Sequence, residues 1–434
     1  IQHLLKFREV KKLWERASAE AKRQGQPDLL HLEANIDFFR DYTKKVWSSY
    51  GKPWPRPWPC GIVWIHWDTR MVQVERQTLD PSNGLYQVDL KYDDLQGKQS
   101  RFKLSCFVSW HNGHIAVASD GPTPILSVAY YPHVDANAKL PSPEVETSSG
   151  VEGAEFFCTQ QFPALAPTAE QPDPSPSPED RNFALCGRLQ GKWKKVTQRI
   201  QRPNCCLKSD GPQPFRLDIT LFTPRDKPDN VTHARRETAQ LSTQPFAELQ
   251  KESERGWREF WSRSAVEFAD KELERVWYHN QYFLPCCLKA GKVAPGLFGN
   301  WISGKIGTAW HGDYHMNYNT QQVFWGLFSS NHAEQHLPYV ELCENLLPMA
   351  EAFARDHFEL PGAFFPHSAY PVPSKVNPYP VPPWGYEVCE TPWTVQSLWW
   401  HYLYTLDRGF LKRVYPLLRA ASRFLVAYVT KGSD

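Results

Sequence analysis

Between residues 62 and 131 the chain alternates or runs together β-branched and aromatic residues in short stretches: IVWIHW (62–67), MVQVER (71–76), LYQVDLKY (85–92), RFKLSCFV (101–108), HIAVAS (114–119) and ILSVAYY (125–131). FRLDITLF (215–222) repeats the pattern, and turn clusters such as DPSNG (80–84) and HNG (111–113) separate the runs. A period of two with turn residues between predicts strands, and this many predict an antiparallel β-sandwich. Before it, Leu4, Leu5, Phe7, Val10, Leu13 and Trp14 mark a helix over about 3–24, with a second over about 29–48, until WPRPWPCG (54–61) breaks the pattern. From about residue 245 the period becomes 3.6. Phe246, Leu249, Trp257, Phe260 and Trp261 make one amphipathic linker helix, and further helices are expected near 270–290, 320–330, 335–357, 391–406 and 408–430.

The fold class expected is therefore multidomain β + α: an antiparallel β-(super)sandwich over 1–235, a helical linker over 236–265, and helical hairpins over 266–434. Paired helices with long loops at one end predict a toroid, here with about half the helices that a closed six-hairpin (α/α)6 barrel needs. Pro-rich loops interrupt at 163–180 and, within the helical region, at 359–387; a loop of the latter length inside a compact domain is usually functional. The first residues lack an initiator Met and a secretory signal pattern, which predicts a fragment lacking both ends.

Charge narrows the function classes. With 49 Lys plus Arg against 47 Asp plus Glu there is no basic field for nucleic acid, and no run is long enough to span a bilayer. The 18 Trp, 18 Tyr and 24 Phe suit a carbohydrate partner, because sugar C–H faces stack on flat rings. Ten Cys include two adjacent pairs, Cys205/Cys206 and Cys286/Cys287, without zinc spacing, so they are expected to be buried small hydrophobes. Asn230-Val-Thr is a glycosylation triplet if the protein is secreted.

The candidate chemistry lies in HGDYHMNYN (311–319), where His311, Asp313, His315, Asn317 and Asn319 alternate with Gly312, Tyr314, Met316 and Tyr318. On an extended segment the polar set shares one side, whereas on a helix Asn317 and Asn319 project about 200° apart. An extended loop is therefore expected, with Tyr314, Met316 and Tyr318 anchored in the core and Asn319 or Thr320 capping the next helix. Trp301, Trp310, Trp325, Trp384 and Trp393 are candidates for lining a sugar site. Glu387 and Glu390 are candidate carboxyl groups, with Thr391 and Pro392 read as the start of a helix. Glu334 and Glu341 are read as surface or structural groups. HxDxH also carries metal donors, but no companion cluster is visible in sequence, so neither metal nor cofactor is expected. A buried polar network tying a loop to the barrel is the other reading of the stretch.

WHGDYHMNYNTQQVFWGLFSSNHAEQHLP resembles the loop-and-helix signature of glycoside hydrolase family 95, the inverting α-L-fucosidases and α-L-galactosidases. WREFWSRS, LERVWYHNQYFL and TPWTVQSLWWHYLYTLDRGFLKRVYPLLRAASRFLVAYV extend the resemblance over about 70–434. It departs after Asn-x-Asn, where Gln322-Val323-Phe324-Trp325-Gly326 replaces the family's Met-Asn-Tyr-Trp-Pro. The resemblance implies the β-super-sandwich, linker and (α/α)6 barrel, and release of a terminal fucose or galactose from an oligosaccharide or polysaccharide. It implies that Asn317 and Asn319 position the water and that the general acid Glu and partner Asp lie beyond Asp434; His315, Asp313, His311, Trp310, Trp325, Glu390 and Glu387 are, on the residues themselves, the candidate substrate contacts. A glycan-hydrolysing role favours a secreted or periplasmic location. The alternatives are a phosphorylase or lyase on the same toroid, or a carbohydrate-binding or structural protein with a degenerate site.

Overall fold

The computed structural model describes residues 5–26, 28–48, 58–94, 96–133, 145–164, 177–197, 204–299, 314–369 and 387–429. The chain begins with α1 (Phe7–Arg23), α2 (Leu29–Asn35) and α3 (Asp37–Ser48), so the expected second helix is two, interrupted at Ile36, whose backbone is extended. Then come β1 (Ile62–His66), β2 (Val72–Asp80), β3 (Leu85–Asp93), β4 (Gln99–Val108), β5 (Ile115–Thr123) and β6 (Ser127–Tyr131). β7 (Glu146–Glu152), β8 (Glu155–Gln161), β9 (Asn182–Leu189), β10 (Trp193–Val196), β11 (Cys205–Ser209) and β12 (Gln213–Phe222) complete the β region.

These strands form two antiparallel sheets, ordered β1-β6-β11-β10 and β2-β3-β4-β5-β12-β9-β8-β7. One core joins them: Leu90, Phe102, Phe156, Phe215 and Leu217 of the larger sheet pack with Val128, Tyr130 and Leu207 of the smaller. Tyr130 stacks on Phe156 with ring centroids 5.7 Å apart, and burial of aromatic and aliphatic side chains on this scale, about 1.5–3 kcal/mol each, holds the sheets together.

The other face of the larger sheet is also covered. On β12, Leu217 and Ile219 enter the core while Arg216, Asp218 and Thr220 face α4 (Asn230–Ser242) and α5 (Phe246–Trp261). Thr220 Oγ1 donates to Ala234 O at 3.1 Å, and the Arg216 guanidinium lies 5.1 Å from the Phe246 ring centre. The expected single linker helix is thus preceded by α4, which the apolar pattern of the sequence does not announce. Asn230, the glycosylation candidate, is buried at its start, with Nδ2 donating to Asn182 Oδ1 at 2.9 Å and Phe222 O at 3.1 Å, so the folded protein occupies that amide itself.

α5 locks the sandwich to the helical region. Ser253 Oγ accepts from Trp110 N at 3.0 Å, Trp261 Nε1 donates to Pro81 O at 3.0 Å, and Trp257 stacks on Tyr282 of α6 (Lys271–Cys287) at 5.0 Å. Downstream lie β13 (Tyr314–His315), α7 (Asn319–Ser329), α8 (Leu337–Phe353), β14 (Ser368–Ala369), α9 (Glu390–Thr405) and α10 (Arg408–Tyr428). α7 to α10 and β13 share a second core built on Phe324, Leu327, Tyr339, Leu346, Leu398 and Val414. Leu406 takes a left-handed φ of 53° to turn α9 into α10, and Asp407 caps α10 by accepting from Gly409 N at 2.7 Å and Phe410 N at 3.1 Å. The N-terminal α1 reaches this region, with Phe7 4.8 Å from the Phe358 ring and Lys6 Nζ 2.5 Å from Glu359 Oε1.

Cys158, Cys186, Cys205, Cys206 and Cys343 are buried as expected, while Cys286 and Cys389 are exposed. Among the described residues no helix is long and apolar enough to cross a membrane.

Gly362 lies directly against the backbone of α10. Its φ is +95°, and a Cβ there would collide with Ala420 O and the Phe424 backbone of α10. Gly362→Ala is expected to lower stability by about 1–3 kcal/mol through left-handed strain and overpacking. Urea unfolding measures it, and a midpoint matching wild type would refute the packing account.

Candidate functional site

Tyr314 and His315 pair antiparallel with Ala369 and Ser368, and Met316 N donates to His367 O at 2.7 Å. Alternation holds this far: Tyr314 and Met316 are buried in the helical core and His315 lies half-buried on the opposite side. It then stops. Residues 316–318 form a turn, Tyr318 is exposed rather than anchored, and α7 already begins at Asn319. The expected extended segment through 319 is therefore corrected. Phe324, Leu327 and Phe328 bury one face of α7 and impose its 3.6 period from Asn319, one residue earlier than expected. Neither Asn319 nor Thr320 caps it; Tyr318 holds the cap position without a side-chain bond, and Gln321 Nε2 ties back to Met316 O at 2.6 Å.

Asn317, in the turn, and Asn319, at the first helical position, are both exposed. His311, Asp313, Trp301, Trp310 and Trp384 lie outside the described residues. Trp325 is half-buried and forms an edge-on cluster with Tyr318 at 5.5 Å and Trp393 at 5.8 Å. The Trp393 Nε1 hydrogen is buried without a partner among the described residues.

Behind β13 the structure gathers a group whose central member, His367, carries no signal in the sequence. Its Nδ1 lies 2.8 Å from Glu387 Oε2 and 3.8 Å from Glu390 Oε1, and its ring centre is 5.4 Å from that of His315. No local motif advertises His367; the pairing of β13 with β14 brings it in. Glu390 is the first residue of α9 and only 2% exposed. The helix thus starts one residue before Thr391, whose Oγ1 instead accepts from Phe365 N at 3.1 Å.

A helix N-terminus ordinarily favours a carboxylate, but here burial dominates and, with the neighbouring Glu387, pushes the Glu390 carboxyl up to about 9. Glu387 opposes its own desolvation with bonds from Glu390 and His367 and is held below the usual carboxylate range. The pair therefore comprises a neutral acid beside an ionised carboxylate at neutral pH, an arrangement able to donate and accept hydrogen bonds at one place. Glu334 is a half-exposed partner of Arg263 at 2.8 Å, in keeping with the structural role expected of it.

A second buried cluster sits between α7, α8 and α9. His336 Nδ1 meets His401 Nδ1 at 3.1 Å, His336 Nε2 meets Ser397 Oγ at 3.1 Å, and His401 stacks on Phe410 at 3.8 Å. Burial lowers His401 to about 4, despite the fields of Asp407 and Glu334, and drives His336 well below its ordinary value. Both are neutral when folded, whereas unfolded imidazoles titrate near pH ~6.5. The unfolded chain thus binds more protons between about pH 6.5 and 4, and stability is lost as pH falls through that window, by about 3 kcal/mol for His401. A melting temperature that holds level from pH 7 to 4.5, or a decline unchanged in His401→Gln, would overturn this.

With the geometry in place, the helical region can be set beside known proteins. Residues 234–434 match the glycosyl hydrolase family 95 catalytic domain. Over 164 residues, 37% of this chain and 19% of the relative, the sequence is 27% identical to alpha-L-fucosidase 2 of Arabidopsis thaliana. Over 155 residues, 35% of this chain and 19% of the relative, it is 23% identical to probable alpha-fucosidase A of Aspergillus niger. The chain thus spans about a fifth of the length of these curated relatives. The stretch that carries Asn317, Asn319, Glu387 and Glu390 is thus similar to the catalytic domain of glycosyl hydrolase family 95.

Proposed function

We propose that the protein is a glycoside hydrolase that releases a terminal α-L-fucose or α-L-galactose from an oligosaccharide or polysaccharide with inversion, on a helical domain that forms part of an (α/α)6 toroid. The observation that carries this reading is the family 95 catalytic-domain match across residues 234–434. The names of the two fucosidase relatives support the sugar class.

Inversion needs an acid on the leaving oxygen and a water on the opposite face of the ring, with the two groups about 6.5–9.5 Å apart. A carboxamide is too weak a base to take the water's proton, but its oxygen accepts a hydrogen bond and orients the attacking lone pair. Asn317 and Asn319, exposed where the turn enters α7, take that role in this proposal. A carboxylate and a general acid other than these residues complete the proton transfers. His315 and Trp325 contribute a hydroxyl contact and a stacking face, with Glu387 and Glu390 at the site's floor; His311, Asp313 and Trp310 belong to the same proposed contact set.

The test is to incubate the full-length protein with glycans ending in α-L-fucose or α-L-galactose and follow the first product by proton NMR. Release of the β-anomer supports the reading. Release of the α-anomer, a phosphate-dependent product, an unsaturated product or no monosaccharide overturns it.

A further inference from the structure

We propose that His367, Glu387 and Glu390 form a binding site for one divalent first-row transition-metal ion of the Mn²⁺ or Zn²⁺ type. The proposal concerns binding and goes beyond the hydrolase reading, since it requires no turnover.

One potential ligand atom from each of the three residues lies within 4.8 Å of the others. Ligands on a metal about 2.1 Å away are spaced about 3–3.5 Å apart, so this triangle requires movements of side chains and not of backbone. The 2.8 and 3.8 Å separations from His367 Nδ1 to the two carboxylates bracket that spacing.

Glu390 supplies an independent reason. It is 98% buried, being 2% exposed, and its Oε2 meets no donor among the described residues. A carboxylate accepts only, so two carboxylates crowded around an imidazole need a proton or a cation between them. One imidazole with carboxylate oxygens suits Mn²⁺ or Zn²⁺, whereas Ca²⁺ and Mg²⁺ take all-oxygen sets.

The ligands are also held. His367 is fixed through its carbonyl by Met316 N at 2.7 Å, and Glu390 is anchored in the first turn of α9. The sequence alone argues against a metal because HxDxH has no companions. The structure supplies companions from elsewhere in the chain, beside His315.

Mn²⁺ is the probe of choice because it prefers oxygen and nitrogen donors to thiols, and exposed Cys389 lies next to the site. Protein stripped with EDTA is titrated with Mn²⁺ while the EPR signal of the free ion is followed. The expected result is one saturable site per chain that raises the melting temperature. Affinity falls at least about 10–100-fold in Glu390→Gln and in His367→Gln and is unchanged in Cys389→Ser. Absence of saturable binding, binding that survives Glu390→Gln, or binding lost in Cys389→Ser overturns the proposal. Should Glu390→Gln fail to fold, half-buried Glu387→Gln serves in its place. Hydrolysis is not read at any point, so failure here and failure of the glycosidase reading are separate results.

Discussion

Replacing Asp218 by Asn is expected to cost about 3–5 kcal/mol of stability, a large share of the 5–15 kcal/mol typical of a folded domain. Asp218 is fully buried and is gripped from two sides. Arg216 Nε and Nη2 donate to its two oxygens at 2.9 and 2.6 Å, and His114 Nε2 lies 2.8 Å from Oδ1. Arg216 and His114 are themselves 6% and 1% exposed. Asn keeps the shape and one acceptor but leaves a guanidinium in a low-dielectric layer without its counter-charge, which is the costly half of breaking a buried pair. The same guanidinium seats α5 through the Phe246 ring, so the loss propagates to the junction between sandwich and helices. The double variant Arg216→Met/Asp218→Leu, which removes both charges and keeps volume, is expected to recover most of the deficit. Urea unfolding of the wild type and the two variants measures both differences. An Asp218→Asn cost below about 1 kcal/mol would mean that water reaches the pair and that the layer is not dry.

β12 shows why the sequence exposed some of this and hid the rest. FRLDITLF alternates apolar and polar residues, and on that pattern it is a strand with one wet face. The strand is there, but Arg216, Asp218 and Thr220 are buried beneath α4 and α5. Alternation reports which residues share a face and says nothing of what later covers it. β7, ETSSGVE, escapes notice because a strand at the sheet's edge, paired only with β8, needs little apolar character. α6 to α10 are legible because their apolar runs are long, and α6 and α10 also begin on capping residues, Asp270 and Asp407.

The site divides in the same way. Tyr314 and Met316 go inward as their alternation demands, while Tyr318 does not, because the helical period of α7 wins from Asn319 onward. His367 could not be found by spacing at all. It meets Glu387 only because β14 lies against β13 and the chain returns to begin α9 at Glu390. Contacts of that kind depend on tertiary pairing that no local window contains.

Asn317→Ala and Asn319→Ala are each expected to lower kcat by about 100–1000-fold, the scale of removing one well-placed polar group from a transition state. Melting temperature is expected to stay within the scatter of surface substitutions, because both side chains are exposed and neither bonds to a described residue. The division between kcat and KM identifies the role. A carboxamide that aims water acts in the transition state, so kcat falls while KM holds. One that grips a sugar hydroxyl in the ground state as well raises KM and spares kcat. Asn→Asp at either position retains an acceptor oxygen, so it is expected to keep more activity than Ala if acceptance from water is what matters. Loss of stability in parallel with activity would make the pair part of a structural network. Full activity in both Ala variants would remove the amide-held water from the mechanism, whatever the family match.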